Sequence, residues 1–187
     1  MCDNSTTARV IAETRRWLQQ IVLRHNFCPF AHKPFQQETI HYIVCLEKEP
    51  EAVIAALIEA LLQLRDSDIS VIETTLFITP NCFNAFDEYN DFLTVVDALI
   101  EQLNLAGTIQ VASFHPDYQF ADLGAADVRN FTNRSLHPLF HLIREASVEH
   151  ARATHPAVLS IPQTNMELLK RRGLEATLRE IEHCRLK

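Results

Sequence analysis

The sequence predicts a single α/β domain in which three buried strands alternate with helices around a small, mainly parallel sheet. Its 187 residues are about the length of one domain, so we treat residues 1–187 as a single unit. A composition of 47% hydrophobic and 22% charged residues is typical of globular proteins. Between residues 39 and 114, strand-like and helix-like patterns alternate, as they do in βαβ units with parallel strands and right-handed crossovers.

The first part of this alternation contains a helix, a strand and a second helix. Apolar residues recur at helical spacing over residues 10–22, and a connector with two prolines follows. Residues 39–46 have the character of a strand. A second amphipathic helix is predicted to begin at Pro50 and to end near Arg65, because proline suits the first turn of a helix.

The second part adds two strands and several helices. Residues 71–78 are apolar and rich in β-branched side chains, which is typical of a strand covered on both faces. A helix over residues 86–103 and a third strand over residues 108–114 come next. The pattern then becomes irregular for about twenty residues after His115. A helix is predicted to resume near Pro138, with apolar positions at 139, 142, 143 and 146, followed by one or two terminal helices.

The main arrangement leaves a fourth strand open, and the alternative fold is a ferredoxin-like α+β sheet. That arrangement needs a fourth strand, and the hydrophobic pattern offers no convincing candidate. We therefore expect the strands near residues 40, 74 and 111 to pair in parallel within one sheet.

Charge and glycine content exclude several classes of partner. The formal net charge of −7 opposes binding to a phosphate backbone, so we expect no nucleic-acid partner. Three glycines are too few for the phosphate-binding loops of nucleotide-dependent enzymes. No apolar run reaches 18 residues and the first residues are polar, so we expect a cytoplasmic protein without a membrane partner.

The five cysteines are scattered and contain no C-x-x-C pair, which favours free thiols over disulfides or a zinc ribbon. Cys28 lies between two phenylalanines, and apolar burial raises a thiol pKa. We therefore expect Cys28 to react slowly in the folded protein. A catalytic nucleophile is the alternative role.

The loop after the third strand is the richest in chemically useful groups. In parallel α/β sheets ligands bind beyond the carboxyl ends of the strands. His115 and Asp117 stand at that position and could act as acid and base, while Tyr118 could contact the substrate. The alternative is that Asp117 caps a turn and Tyr118 packs its ring.

A second polar segment precedes the helix predicted near Pro138. Asn133 and Arg134 could hold an anion there, since a helix start and a guanidinium both attract carboxylate or phosphate. We expect these two residues to share a pocket with His115 and Asp117. Arg134 could instead pair with an acid of the protein, and Arg144 could bind substrate or form an internal salt bridge.

Two further positions have both a functional and a structural interpretation. Glu73 lies in the second strand, where a carboxylate is costly unless it is paired or protonated. It is either a functional acid or the buried partner of an arginine. His137 and His141 have the i, i+4 spacing of a metal pair, but the glutamate of H-E-x-x-H is missing.

No cofactor is therefore predicted from motifs. His141 alone is the better site candidate of the two histidines. A divalent metal held by His115, Asp117 and His141 is the weakest of the alternatives.

Several motifs together resemble one protein family. They are T-R-R-W at 14, F-C-P-F-A at 27, E-T-T at 73, Y-N-D-F-L at 89, F-H-P-D-Y-Q-F at 114 and T-N-R-S at 132. The chain resembles the bacterial DUF1415 proteins from about Thr14 to about Gly173, which leaves residues 174–187 outside the likeness. The family is of unknown function, so the resemblance implies no reaction.

The family's polar motifs fall on most of the residues already considered. They are Cys28, Glu73, Asn90, Asp91, His115, Asp117, Tyr118, Asn133, Arg134, His141, Arg144 and Glu145. Position 137 departs from the family pattern, in which an aromatic residue precedes the proline, and this weakens the metal interpretation.

The preferred hypothesis is an enzyme that acts on a small anionic metabolite by acid/base chemistry after the third strand. Hydrolase and transferase chemistry are both left open. The competing hypothesis is a noncatalytic module that binds a small ligand or another protein. The sequence does not predict an oligomeric state.

Overall fold

A four-stranded mixed sheet runs through the middle of the molecule. The computed structural model describes residues 2–154 and 158–186. The strands are β1 (Ile40–Val44), β2 (Thr74–Ile78), β3 (Ile109–Phe114) and β4 (Leu139–Arg144), in the spatial order β1-β2-β4-β3. β1 and β2 pair in parallel, whereas β4 is antiparallel to both of its neighbours. The expected α/β class and the parallel pairing of the first two strands are confirmed.

β4 occupies the place where a helix was predicted, and that prediction is wrong. Residues 139–143 form a short, nearly continuous apolar run, for which periodicity cannot separate a buried strand from a helix. β4 lies between β2 and β3, so β3 pairs with β4 and not with β2. The chain order β-α-β-α-β-β also differs from the β-α-β-β-α-β order of the ferredoxin-like alternative.

Seven α-helices surround the sheet within the described residues. They are α1 (Cys2–Trp17), α2 (His32–Gln36), α3 (Pro50–Asp66), α4 (Phe86–Gln102), α5 (Glu145–Thr154), α6 (Ile161–Arg172) and α7 (Leu174–Glu182). The helices α3 and α4 agree with the sequence predictions, and α3 begins at its proline.

Each face of the sheet has its own apolar core. Phe77, Phe140 and Leu142 of β2 and β4 pack with side chains of α3 and α4. On the opposite face, Leu76 and Leu139 pack with α1 and the carboxyl-terminal helices. Complete burial of one such side chain contributes about 1.5–3 kcal/mol, so both layers stabilise the sheet.

The first helix ends in an unusually wide turn. After Trp17, α1 continues as a π-helix over Leu18–Leu23, and the amide of Phe27 then donates to the carbonyl oxygen of Val22, five residues earlier, at 2.8 Å. π-helical turns are rare and are frequent at functional sites. Leu18 and Val22 are buried against the sheet and line the cavity described next.

Candidate functional site

A cavity of about 270 Å³ lies on the face of the sheet that α1 covers. Most of its wall is apolar. The lining residues are Trp17, Leu18, Val22, Phe27, Cys28, Phe30, Ala31, Pro34, Ile40, Glu73, Thr74, Leu76, Phe114, Thr132, His141, Ile143, Ser147, Val148, Ala151 and Val158. Three residues predicted as site residues, Cys28, Glu73 and His141, therefore line one cavity.

Strand pairing builds the floor of this cavity. Thr74 of β2 is opposite Ile143 of β4, and Leu76 is opposite His141, so all four side chains project from the same face. Ser147 extends the wall from α5, at the end of the sheet where β2 begins. The cavity therefore spans the sheet face and lies away from the carboxyl ends of the parallel strands.

Two buried polar atoms in the wall have no hydrogen-bond partner among the described residues. They are Nε1 of Trp17 and Oγ of Ser147. Trp17 is only 3% exposed. A buried donor without an acceptor costs about 1–3 kcal/mol, and native proteins leave few such groups unpaired. Both residues line the cavity, and because the two atoms themselves expose almost no surface, a bound molecule becomes their partner only if the wall adjusts around it.

His141 presents a second kind of polar group to the cavity. Its Nε2 is 2.8 Å from Oγ1 of Thr74, and that hydroxyl donates its single proton to the carbonyl oxygen of Leu142 at 2.6 Å. Thr74 must therefore accept from the imidazole, so Nε2 carries the proton and Nδ1 carries a lone pair. Within the described residues, Nδ1 forms no hydrogen bond. Burial lowers the pKa of His141 to about 4, and the ring is neutral at pH 7.

Cys28 lies where the chain enters a short 3₁₀ turn over Pro29–Ala31 and then α2. The thiol is free and its residue is partly buried. Burial raises the pKa of Cys28, and hydrogen bonds from the amides of Phe30 and Ala31 act in the opposite direction. The raised pKa supports slow reaction with thiol reagents, which stays a prediction.

Glu73 contributes the cavity's carboxylate. Its backbone amide donates to the carbonyl oxygen of Thr39 at 2.9 Å, which fixes the residue directly before β2 and not within the strand, where it was predicted. Among the ion pairs of the described residues, none contains Glu73, so the proposed buried pair with an arginine is not present there. Among the described residues that line the cavity there is no lysine or arginine, so no such side chain balances the carboxylate of Glu73 there.

Hydrogen bonds to the backbone hold both ring nitrogens of His115, the predicted catalytic histidine that follows β3. His115 is fully buried. Its Nδ1 accepts from the amide of Asp117 at 2.9 Å, and its Nε2–H donates to the carbonyl oxygen of Phe83 at 2.9 Å. Burial lowers its pKa, so the neutral ring is favoured. With both nitrogens bonded to backbone, the ring has no free atom for acid/base work in this conformation.

The loop that follows β3 and the segment that contains Asn133 and Arg134 are in contact, and backbone groups take part in each of their hydrogen bonds. The amide of His115 donates to the carbonyl oxygen of Asn133 at 3.2 Å, and Nδ2 of Asn133 donates to the carbonyl oxygen of Ser113 at 3.2 Å. Nε of Arg134 donates to the carbonyl oxygen of Tyr118 at 3.1 Å. The predicted proximity of these loops is therefore present, while neither His115 nor Arg134 lines the 270 Å³ cavity.

Arg134 is also held by other contacts. Nη2 donates to the carbonyl oxygen of Ala125 at 2.8 Å, and the guanidinium lies 4.5 Å from the centre of the Phe131 ring. Burial lowers its pKa, and the charge of Asp117 opposes this shift. The following segment is a strand, so the helix start that would attract an anion is not present. The geometry favours a structural role for Arg134.

The remaining loop candidate, Tyr118, packs its ring against aromatic neighbours. The centres of the Phe86 and Phe120 rings lie 5.1 and 5.0 Å from it. Asp117 has an exposed side chain. Packing of Tyr118 agrees with the structural alternative, and its role toward a substrate stays a prediction.

Arg144 has a structural partner set that the sequence did not reveal. Its Nη2 donates to the carbonyl oxygens of Leu64 and Ser67, both at 2.6 Å, and to that of Ile72 at 3.1 Å. Leu64 lies in the last turn of α3, where carbonyl oxygens lack partners in the helix. Arg144 therefore ties β4 to the end of α3 through backbone oxygens, and the expected salt bridge is absent from its described contacts.

No metal site is assembled by the described part of the chain, which contains no group of three or more histidine, cysteine, aspartate or glutamate side chains suited to a metal ion. His137 bonds to the buried carboxylate of Glu13, with Nε2 and Oε2 2.8 Å apart. His141 bonds to Thr74. The i, i+4 pair therefore has two separate partners, because His137 precedes β4 and His141 lies within it, so no helical turn brings the two imidazoles together.

Sequence reasoning missed Trp17 and Ser147. Both occur in ordinary amphipathic surroundings, and their lack of a partner is a property of the packed structure alone. The sequence features that single out Trp17 are its place in the T-R-R-W motif and the absence of any other tryptophan in the chain.

The chain belongs to the family described as protein of unknown function (DUF1415), whose model matches residues 9–179. No curated protein and no solved structure matches the chain. Among residues 2–154 and 158–186, no helix is both long enough and apolar enough to cross a bilayer.

Proposed function

We propose that this member of the DUF1415 family binds a small, uncharged and largely apolar organic molecule in the cavity against the α1 face of the sheet. The observation that carries the proposal is a pair of buried donors, Trp17 Nε1 and Ser147 Oγ. Both belong to residues that line one cavity, and neither has a partner among the described residues. Sites of this kind, apolar with a few placed polar groups, are typical of small-molecule binding.

The size of the cavity limits the ligand. An apolar cavity of about 150 Å³ is large enough for benzene. A cavity of about 270 Å³ therefore accommodates a molecule of somewhat less than twice that bulk, roughly ten non-hydrogen atoms. One aromatic ring with a short substituent, or a branched aliphatic molecule of similar length, fits this limit.

The charge of the wall disfavours an anion. Among the described lining residues, Glu73 is the only carboxylate and no lysine or arginine balances it, while His141 is neutral. An anionic ligand would lose its hydration and gain no opposite charge. The predicted anionic metabolite thus has no support at this cavity.

An acid/base enzyme at the loop after β3 is the weaker proposal, because both ring nitrogens of His115 are bonded to backbone groups. A cytoplasmic location, and the absence of nucleic-acid and membrane partners, are parts of the proposal that rest on composition and charge.

The experiment uses ethylbenzene as the probe and Trp17 as the reporter. Because Trp17 is the only tryptophan and lines the cavity, its fluorescence reports directly on occupancy. We expect saturable binding of ethylbenzene with a change in Trp17 emission and a raised melting temperature, since a ligand that binds only the folded state stabilises it.

A matched pair of variants on α5 tests the location. Ala151→Leu adds three carbon atoms at a buried lining position, whereas Ala146→Leu adds them at an exposed position of the same helix. We expect Ala151→Leu to lose ethylbenzene binding and Ala146→Leu to keep it. If ethylbenzene changes neither emission nor melting temperature of the wild-type protein up to its solubility limit, the proposal is wrong.

A further inference from the structure

We infer that the cavity selects neutral molecules that carry a hydroxyl group, whose proton is accepted by Nδ1 of His141 while the donors of Trp17 and Ser147 bond to ligand oxygen. The inference names the ligand class of the proposed site and so rests on the proposed function. It follows from which atoms of the wall donate and which accept.

The first step is the fixed direction of the imidazole. The hydroxyl of Thr74 gives its proton to the carbonyl oxygen of Leu142, so it can only accept from Nε2–H of His141. The tautomer is therefore set by the backbone of β4. The other ring nitrogen, Nδ1, remains as a lone-pair acceptor without a partner among the described residues.

The second step is the neutrality of that acceptor. No carboxylate of the described residues forms a hydrogen bond or ion pair with His141 that would stabilise the protonated ring. Burial disfavours the charged form. At neutral pH the ring thus offers an acceptor at Nδ1 and cannot donate from it. A ligand group facing Nδ1 must bring its own proton.

The third step is the complementary set of donors. The indole nitrogen of Trp17 can only donate, and the hydroxyl of Ser147 can donate or accept. A ligand that satisfies the whole wall must therefore contain an oxygen acceptor as well as a proton donor. A hydroxyl group is neutral, and it donates its hydrogen while its oxygen accepts.

Charged alternatives satisfy only part of the wall. A carboxylate would accept from Trp17 but could not donate to Nδ1 of His141, and it would meet the like charge of Glu73. An ammonium group would donate to Nδ1 but could not accept from Trp17. Of the three groups compared, only the neutral hydroxyl can both donate to His141 and accept from Trp17 and Ser147.

The test compares benzyl alcohol with ethylbenzene, which has the same shape with a methyl group in place of the hydroxyl. Affinities of both probes are measured by Trp17 fluorescence for the wild-type protein and for His141→Phe. We expect the ratio of benzyl alcohol affinity to ethylbenzene affinity to fall about tenfold in His141→Phe, because the variant leaves the buried hydroxyl proton without an acceptor.

A second measurement needs no variant. In protein labelled with ¹⁵N-histidine, benzyl alcohol should shift the Nδ1 resonance of His141, as expected for an acceptor that gains a hydrogen bond, and ethylbenzene should leave it nearly unchanged. Benzoate and benzylamine, the anionic and cationic relatives, should bind more weakly than benzyl alcohol.

The outcomes separate the two proposals. If ethylbenzene does not bind the wild-type protein, the proposed function itself is wrong. If ethylbenzene binds while the affinity ratio is the same in both proteins and Nδ1 does not respond to benzyl alcohol, only the hydroxyl inference is overturned. Tighter binding of benzoate than of benzyl alcohol would overturn it as well.

Discussion

Burial of a neutral His141 makes the stability of this protein depend on pH in a defined direction. The ordinary histidine pKa is 6.5, and in the folded protein burial lowers it to about 4. Between these values the unfolded chain binds a proton that the folded chain does not. The free energy of unfolding must therefore fall as the pH is lowered through this window.

The size of the effect follows from the two pKa values. One pH unit in such a window is worth about 1.4 kcal/mol, so the full difference corresponds to about 3 kcal/mol, of which about 2.4 kcal/mol is lost between pH 7 and pH 4.5. A substitution at position 141 leaves the other side chains that line the cavity in place, so the comparison of wild type and variant isolates the contribution of His141.

The perturbation is His141→Gln, which can keep an N–H toward Thr74 but cannot take up a proton. Urea unfolding is followed by circular dichroism for wild type and variant at pH 7, 6, 5 and 4.5. We expect the stability of the wild type relative to the variant to decrease by about 2.4 kcal/mol over this range.

His150→Gln serves as the control, because His150 is an exposed residue of α5. Its pH profile should follow that of the wild type. If the free energies of unfolding of the wild type and His141→Gln differ by the same amount at every pH from 7 to 4.5, the fold does not hold the histidine neutral.

Two further predictions concern single side chains. Cys28 should react slowly with a thiol reagent in the folded protein and rapidly in urea, because burial raises its pKa. Peptide mapping after the reaction measures the labelling. If Cys28 in the folded protein is labelled faster than a free peptide cysteine, a nucleophilic role is favoured. Arg144→Met should lower the free energy of unfolding, measured by chemical denaturation, by about 2–4 kcal/mol, because three backbone oxygens lose a charged donor. Arg152→Met, at an exposed position, is the control and should change it by less than about 0.5 kcal/mol.

The regular parts of the fold were predictable because their patterns are local. The periodic apolar positions and the leading proline define α3, and the β-branched run before Ile78 defines β2. β4 was not predictable in the same way. Its apolar run is five residues long, and only pairing with β2 and β3, which lie far away in sequence, makes it a strand.

The same error displaced the predicted site. The rule that ligands bind at the carboxyl ends of strands applies to parallel sheets, and an antiparallel strand in the centre removes its premise. Cys28 and Glu73 were identified by their apolar surroundings and His141 by its spacing from His137, and all three line the cavity. The buried groups without partners could not be identified from sequence, because their neighbours belong to distant elements.

The insertion of β4 also determines how firmly the cavity's acceptor is held. Phe140 and Leu142, the neighbours of His141, are fully buried on the opposite face, and β4 is bonded on both sides. His141 therefore has a fixed position before any ligand arrives, which reduces the ordering that binding requires. Trp17 and Ser147 lie on helices that pack over this floor. Adjustment to ligands of different shape should consequently occur at the π-helix and α5, while the bond between His141 and Thr74 keeps its direction.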